Sequence, residues 1–354
     1  MTKQCLEVVT TGERICRAVS SVSDESQKIA NSSIGAEALL PVPQSMSLTT
    51  LEANIIAYGA GVLWTTGGLK NRKQAHEMTW RVLKLREKHM ESLSATEVNS
   101  NEHVLLANAY NDWALQLMNE GKYMDARAFS QRSLDIKERH LDTRTNQFEF
   151  FISKILLAVS ELAEGLYVQS LVTARSAINH IVEEKGHEDP YTQHWMFHVA
   201  NIVAGTGDFQ KALELHRSAL QARVALFGES SYAALDSYFS VGFCLYKVGD
   251  FMAASKSVAQ CIGISESAEW ASECLLRARY LEALILKELG GGNNGQQSES
   301  EINIIAERNQ WLTEFGEDEW KTPGESCQEE FIYFDYLVNM HSGRTTVGQS
   351  PIVP

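Results

Sequence analysis

Glycines 121, 165, 207 and 249 stand 44, 42 and 42 residues apart, and each is followed at the same two distances by a small side chain. The pairs are Ala126 and Ser133, Ser170 and Ala177, Ala212 and Ala219, and Ala254 and Cys261. An earlier copy, Ala75 and Val82, follows the looser turn Gly67-Gly68. A period of this length governs the whole chain. A single unit cannot bury its own apolar face, so successive copies must stack into a solenoid. The usual product of such stacking is an extended binding surface rather than a catalytic pocket.

Each unit reads as two helices. In the fourth, Trp195, Met196, Val199, Ile202 and Val203 recur at helical spacing and form one apolar stripe. Gly205-Thr206-Gly207-Asp208 ends that helix, because glycine accepts the left-handed conformation that closes a helix terminus. A second helix then carries Phe209, Ala212, Leu213, Leu215, Ala219, Leu220 and Val224 along one side. The alanines are small where the paired helices approach most closely, and a bulky residue there would force the backbones apart.

The second unit has Tyr110, Trp113-Ala114 and Leu117 before Gly121-Lys122-Tyr123 and Ala126. The fifth has Tyr238, Val241-Gly242 and Leu245 before Gly249-Asp250-Phe251 and Ala254. This pattern resembles the tetratricopeptide repeat. With its longer period, and with segments such as Ser133 to His140 extending helix B, it is similar to the 42-residue repeats of kinesin light chains and to the sensor arrays of fungal and bacterial nucleotide-binding signalling proteins. The resemblance covers residues 51 to 289, with a degenerate sixth unit to about 315. It implies an all-α, right-handed solenoid of five to six antiparallel helix pairs over residues 49–315, interrupted by a glycine- and asparagine-rich insertion at 290–298. Units are expected near 51–90, 102–140, 149–184, 191–227 and 233–268.

The flanks read differently. Residues 1–48 form a largely flexible segment with room for one short helix around Glu13 to Val22. Residues 316–341 are expected to cap the array, with Phe331-Ile-Tyr-Phe-Asp-Tyr apolar enough to dock back on it, and 342–354 to be disordered. The net charge is −14, and residues 299–330 alone hold ten acidic residues against Arg308 and Lys321. That balance repels phosphate backbones and anionic lipids, so neither nucleic acid nor membrane is an expected partner. No apolar run approaches the ~18 residues of a spanning helix. The six cysteines include no Cys-x-x-Cys pair, and three lie on apolar helical faces, which fits a reducing, cytoplasmic setting.

No catalytic constellation emerges, and neither cofactor nor metal is expected. There is no phosphate loop, and Gly59-Ala60-Gly61 lies within a helix pattern without the third glycine of a dinucleotide fingerprint. His194 and His198 are one turn apart, with His187 and Asp189 nearby, but Trp195 occupies the place where a zinc-protease motif needs glutamate. They are read as groove-lining side chains. Glu317-Asp318-Glu319 is read as solvated loop charge.

In the family, helix A lines the concave face. The register then turns Asn108, Asn111 and Leu115 inward from the second unit, and Ile155 and Val159 from the third. The fourth supplies His194, Phe197 and Asn201, and the fifth Phe239, Phe243, Tyr246 and Lys247. This lining is expected to form a partly exposed aromatic groove for a protein or peptide partner, the alternative being that some rings pack between helices. The family variant that clamps a C-terminal carboxylate needs Lys-x-x-x-Asn in helix A, which is absent here. The expected function is a non-enzymatic interaction scaffold. The alternatives are a regulatory relative of the sensor arrays and an accessory factor of a biosynthetic pathway.

Overall fold

The computed structural model describes residues 48–66, 69–94, 98–267, 272–290, 299–314 and Phe331. The expectations for residues 1–47, Gly67-Gly68, the acidic triplet 317–319 and the tail 342–354 lie outside these. The described residues form twelve helices and no strand, paired in chain order. α1 (Leu48–Thr66) pairs with α2 (Leu69–Ser92), α3 (Ser100–Asn119) with α4 (Tyr123–His140), and α5 (Gln147–Ala163) with α6 (Tyr167–Lys185). α7 (Pro190–Gly205) and α8 (Phe209–Phe227) form the fourth unit, and α9 (Tyr232–Lys247) and α10 (Phe251–Glu266) the fifth. α11 (Ser272–Leu289) and α12 (Glu299–Glu314) form a sixth, tied by an ion pair between Arg279 and Glu307 at 3.3 Å.

The repeat register is visible in the packing. All ten small positions of the template, from Ala75 and Val82 to Ala254 and Cys261, are at most 4% exposed. Each intra-pair turn is closed by its glycine, with φ between 76° and 91° at Gly121, Gly165, Gly207 and Gly249. In three of them the following amide reaches back across the helix end: Lys122 to the Leu117 carbonyl (2.8 Å), Leu166 to Glu161 (2.9 Å) and Asp250 to Leu245 (3.0 Å). These bonds satisfy carbonyls that the helix leaves without partners. In units four and five the glycine is followed by aspartate, and the Asp208 and Asp250 carboxylates cap the next helix by accepting from the Lys211 and Ala253 amides.

Between units, each B helix packs against the following helix A, and successive A helices (α3, α5, α7, α9, α11) also touch one another. Their closer approach places the A helices on the inner side of the curve. The seams carry a device that the apolar pattern did not predict. Four residues after the second small position stand Arg86, Lys137 and Arg223, all buried. Arg86 donates to the Asn54 side chain at 2.6 Å and is drawn electrostatically to Glu102 of α3. Lys137 donates to the Glu149 carbonyl (3.0 Å) and carboxylate (2.8 Å) of α5. Arg223 donates to the Ala233 carbonyl and the Ser237 hydroxyl of α9, both at 3.2 Å, with Asp236 nearby. A buried cation is stable only where it is hydrogen-bonded and paired, so Lys137 and Arg223 fix the next helix A in register. Arg86 is bonded to α1 of its own unit and only attracted to α3.

The cysteines at 244, 261 and 274 are free and buried. Burial pushes the Cys244 and Cys261 thiols up to about 12, which makes them packing groups rather than nucleophiles. No helix of the described residues is long and apolar enough to cross a membrane.

Candidate functional site

A pocket of about 130 Å³ opens where the A helices of the second, third and fourth units converge. α3 contributes Asn111, Asp112, Leu115 and Met118; α5 contributes Phe151, Ile152, Ile155, Leu156 and Val159; α7 contributes Trp195 and His198. The spacing follows from helix geometry, since each set recurs at three to four residues along one face. Ala114, Ala158 and Ala200, one on each of these helices, are fully buried and add little bulk.

The pocket is an apolar bowl with a polar rim on α3. Asn111 is 3% exposed; its Nδ2 donates to the Ser153 hydroxyl at 3.0 Å, and Ser153 also bonds Ser133 at 3.0 Å. The Asn111 Oδ1 has no donor within the protein. Asp112 reaches water on one side while protein crowds it on the others. That crowding raises its carboxyl to about 6, against the opposing pull of Lys137. Because one side is open, water tempers the lift. Lys137 itself is engaged by Glu149. On the opposite wall, Trp195 packs against Phe148 and Phe151 at centroid distances of 5.2 and 5.3 Å and stacks on His198 at 5.5 Å.

Four side chains expected to face inward, Asn111, Leu115, Ile155 and Val159, are therefore brought together here. Asn108 and Asn201 are half-buried on α3 and α7, outside the pocket. The expected aromatic groove of units four and five is corrected by the packing. Phe197 and Phe239 are fully buried and Phe243 is 4% exposed. Phe197 lies under the guanidinium of Arg223 and Phe239 under that of Arg277. Phe243 is covered by Phe331, which stacks on it at 5.4 Å and on Tyr280 at 6.5 Å. Tyr246 is half-buried, and Lys247 is exposed with its ammonium 5.4 Å from the Phe243 ring.

His194 is turned away from any metal role. Its Nδ1 accepts from Arg223 Nε at 3.1 Å, and burial beside that cation lowers it to about 4. Among the described residues no group of three or more histidine, cysteine, aspartate or glutamate side chains could hold a metal ion.

No protein-family model and no curated protein matches the sequence. Its fold, however, is shared by solved structures. A Rap protein complexed with Competence and Sporulation Factor matches at a TM-score of 0.56 and 14% identity, covering 95% of this chain and 81% of that one. BtubC (BKLC) from P. vanneervenii matches at 0.51 and 14% identity, over 72% of this chain and 96% of that one. The chain is thus an α-solenoid of tetratricopeptide-like repeats.

Proposed function

We propose that this protein is a non-enzymatic interaction scaffold whose concave face holds a peptide segment of a partner. The observation that carries this reading is the pocket shared by α3, α5 and α7. It is apolar, open on the inner curve, and built from three successive units, so a ligand seated there would run along the array. Its volume suits one side chain, which makes it an anchor point within a longer contact. The net charge of −14 opposes nucleic acid as the ligand. A second reading, a regulatory protein whose state depends on an occupied groove, is favoured by the likeness to the Rap protein solved with a bound factor.

Site-specific photo-crosslinking tests the proposal. A benzoylphenylalanine at Val159 should capture bound peptide, whereas the same group at Met124, 72% exposed at the start of α4, should not. Equal capture at both positions, or capture at Met124 alone, would remove the concave face as the site.

A further inference from the structure

Resting on that reading, we infer that the α3–α5–α7 pocket selects a peptide in which a lysine or arginine neighbours a bulky apolar residue. The apolar side chain enters the bowl, and the cation pairs with Asp112 at its rim.

Three observations converge on this chemistry. The first is Asp112. Its carboxylate lines the pocket and makes no hydrogen bond or ion pair within the described protein. The nearest cation, Lys137, spends two of its donors on Glu149. The second is Asn111, which is 97% buried, lines the same pocket, and has its Nδ2 committed to Ser153 while its Oδ1 lacks a donor. The accessible Asp112 carboxylate has no protein donor, and the Asn111 Oδ1 below the surface adds to the negative potential there, so both favour a ligand that brings positively charged donors. An ammonium or guanidinium brings several. The third is the rest of the lining. Leu115, Met118, Ile152, Ile155, Val159 and Trp195 accept an apolar side chain.

The opposite charge is disfavoured. A carboxylate placed in the bowl would face Asp112 at close range in a partly desolvated site, and like charges so placed repel. The surplus of negative charge on the chain acts the same way at longer range, drawing cationic ligands and repelling anionic ones.

The test is selection from a phage-displayed library of random dodecapeptides on the full chain, repeated with Asp112→Asn, Asp112→Lys and Val159→Trp variants whose folding is checked by circular dichroism. The wild-type protein should enrich peptides with arginine or lysine within two residues of leucine, isoleucine, methionine or an aromatic. Measured by fluorescence anisotropy with a labelled synthetic copy, Asp112→Asn should weaken that peptide by about tenfold, the loss typical of removing one partner of a close charge pair. Asp112→Lys should switch the enriched set toward acidic peptides. Val159→Trp, which fills the bowl, should abolish binding by both classes.

The failures separate. Neutral or acidic peptides that ignore Asp112 but are lost in Val159→Trp would overturn the charge selection and leave the concave site standing. Enriched peptides that still bind Val159→Trp at full strength would overturn the site itself. A library that yields no enriched sequence on the wild-type protein would count against both.

Discussion

The guanidinium of Arg223 sits 3.7 Å from the centre of the Phe197 ring, and 42 residues further on Phe239 lies at the same distance beneath Arg277. In both units a cation seals an aromatic ring that the repeat register turns toward the next seam. Asp236 links the two, drawing Arg223 electrostatically and lying 4.0 Å from Arg277. Removing Arg223 therefore strips a hydrogen-bonded charge from a closed site and leaves Asp236 with less compensation. Arg223→Ala should cost on the order of 3–5 kcal/mol. Arg223→Lys should recover little, since an ammonium cannot reproduce the planar stack with simultaneous bonds to Ala233 and Ser237. Urea unfolding of both variants checks this; a lysine variant as stable as wild type would show that charge alone suffices.

Ala219 is fully buried where α7 and α8 cross. Leucine there adds volume to a contact that has no room, and should destabilise by about 1–3 kcal/mol. For a chain of this size each kcal/mol lowers Tm by about 1–2 °C. An unchanged thermal melt for Ala219→Leu would mean that the helices of the pair can separate without penalty.

Acid should destabilise the array through His216. This side chain is 1% exposed, and burial, helped by Arg223, lowers it to about 3. Unfolded, it titrates near 6.5. Between those values the unfolded chain binds the extra proton, so stability falls as pH drops through 6.5 and downward, by up to about 1.4 kcal/mol per pH unit for one fully buried histidine. His194, lowered to about 4, adds to the slope. Asp112 works in the opposite direction, because its raised carboxyl takes up a proton first in the folded state, but its open side reduces that share. Denaturant midpoints at pH 7 and pH 5 should differ in wild type and differ less in His216→Leu, the remainder coming from His194.

A basic peptide in the pocket should respond to pH for a separate reason. Crowding by protein raises the Asp112 carboxyl toward about 6, tempered by its open side, with Lys137 drawn to it and His198 across the pocket. Affinity should be full above that value and decline below it, where the carboxyl becomes neutral, and the decline should vanish in Asp112→Asn. Anisotropy titrations from pH 7.5 to 5 measure it.

The parts of this architecture legible in the sequence were those set by backbone approach. The small positions and turn glycines define the pairs because only small side chains and a left-handed turn allow two helices to close, and ten of ten small positions are buried. The same register put Asn111, Leu115, Ile155 and Val159 on one wall. It failed at Phe197, Phe239 and Phe243 because depth is a tertiary property: whether an inward ring meets solvent depends on what lies over it, here Arg223, Arg277 and Phe331. Nothing in the sequence distinguishes Asp112 from an ordinary helix-surface acid, since its place at the pocket arises only when α3, α5 and α7 converge. One signal was available. Arg86, Lys137 and Arg223 interrupt the B-helix apolar stripe at the same distance from the second small residue, and a charge repeated in register marks a buried partner.

Phe331 gives the inner curve a direction. Its ring rests on Phe243 and Tyr280, so units five and six hold a contact supplied by their own chain, and an intramolecular contact is not weakened when the protein is diluted. A ligand arriving from solution must outcompete that tethered ring at the C-terminal end, whereas among the described residues no such ring lies over the bowl formed by units two to four. Among the described residues the C-terminal units are therefore latched by their own chain, and a ligand should engage the bowl of units two to four before it displaces that latch.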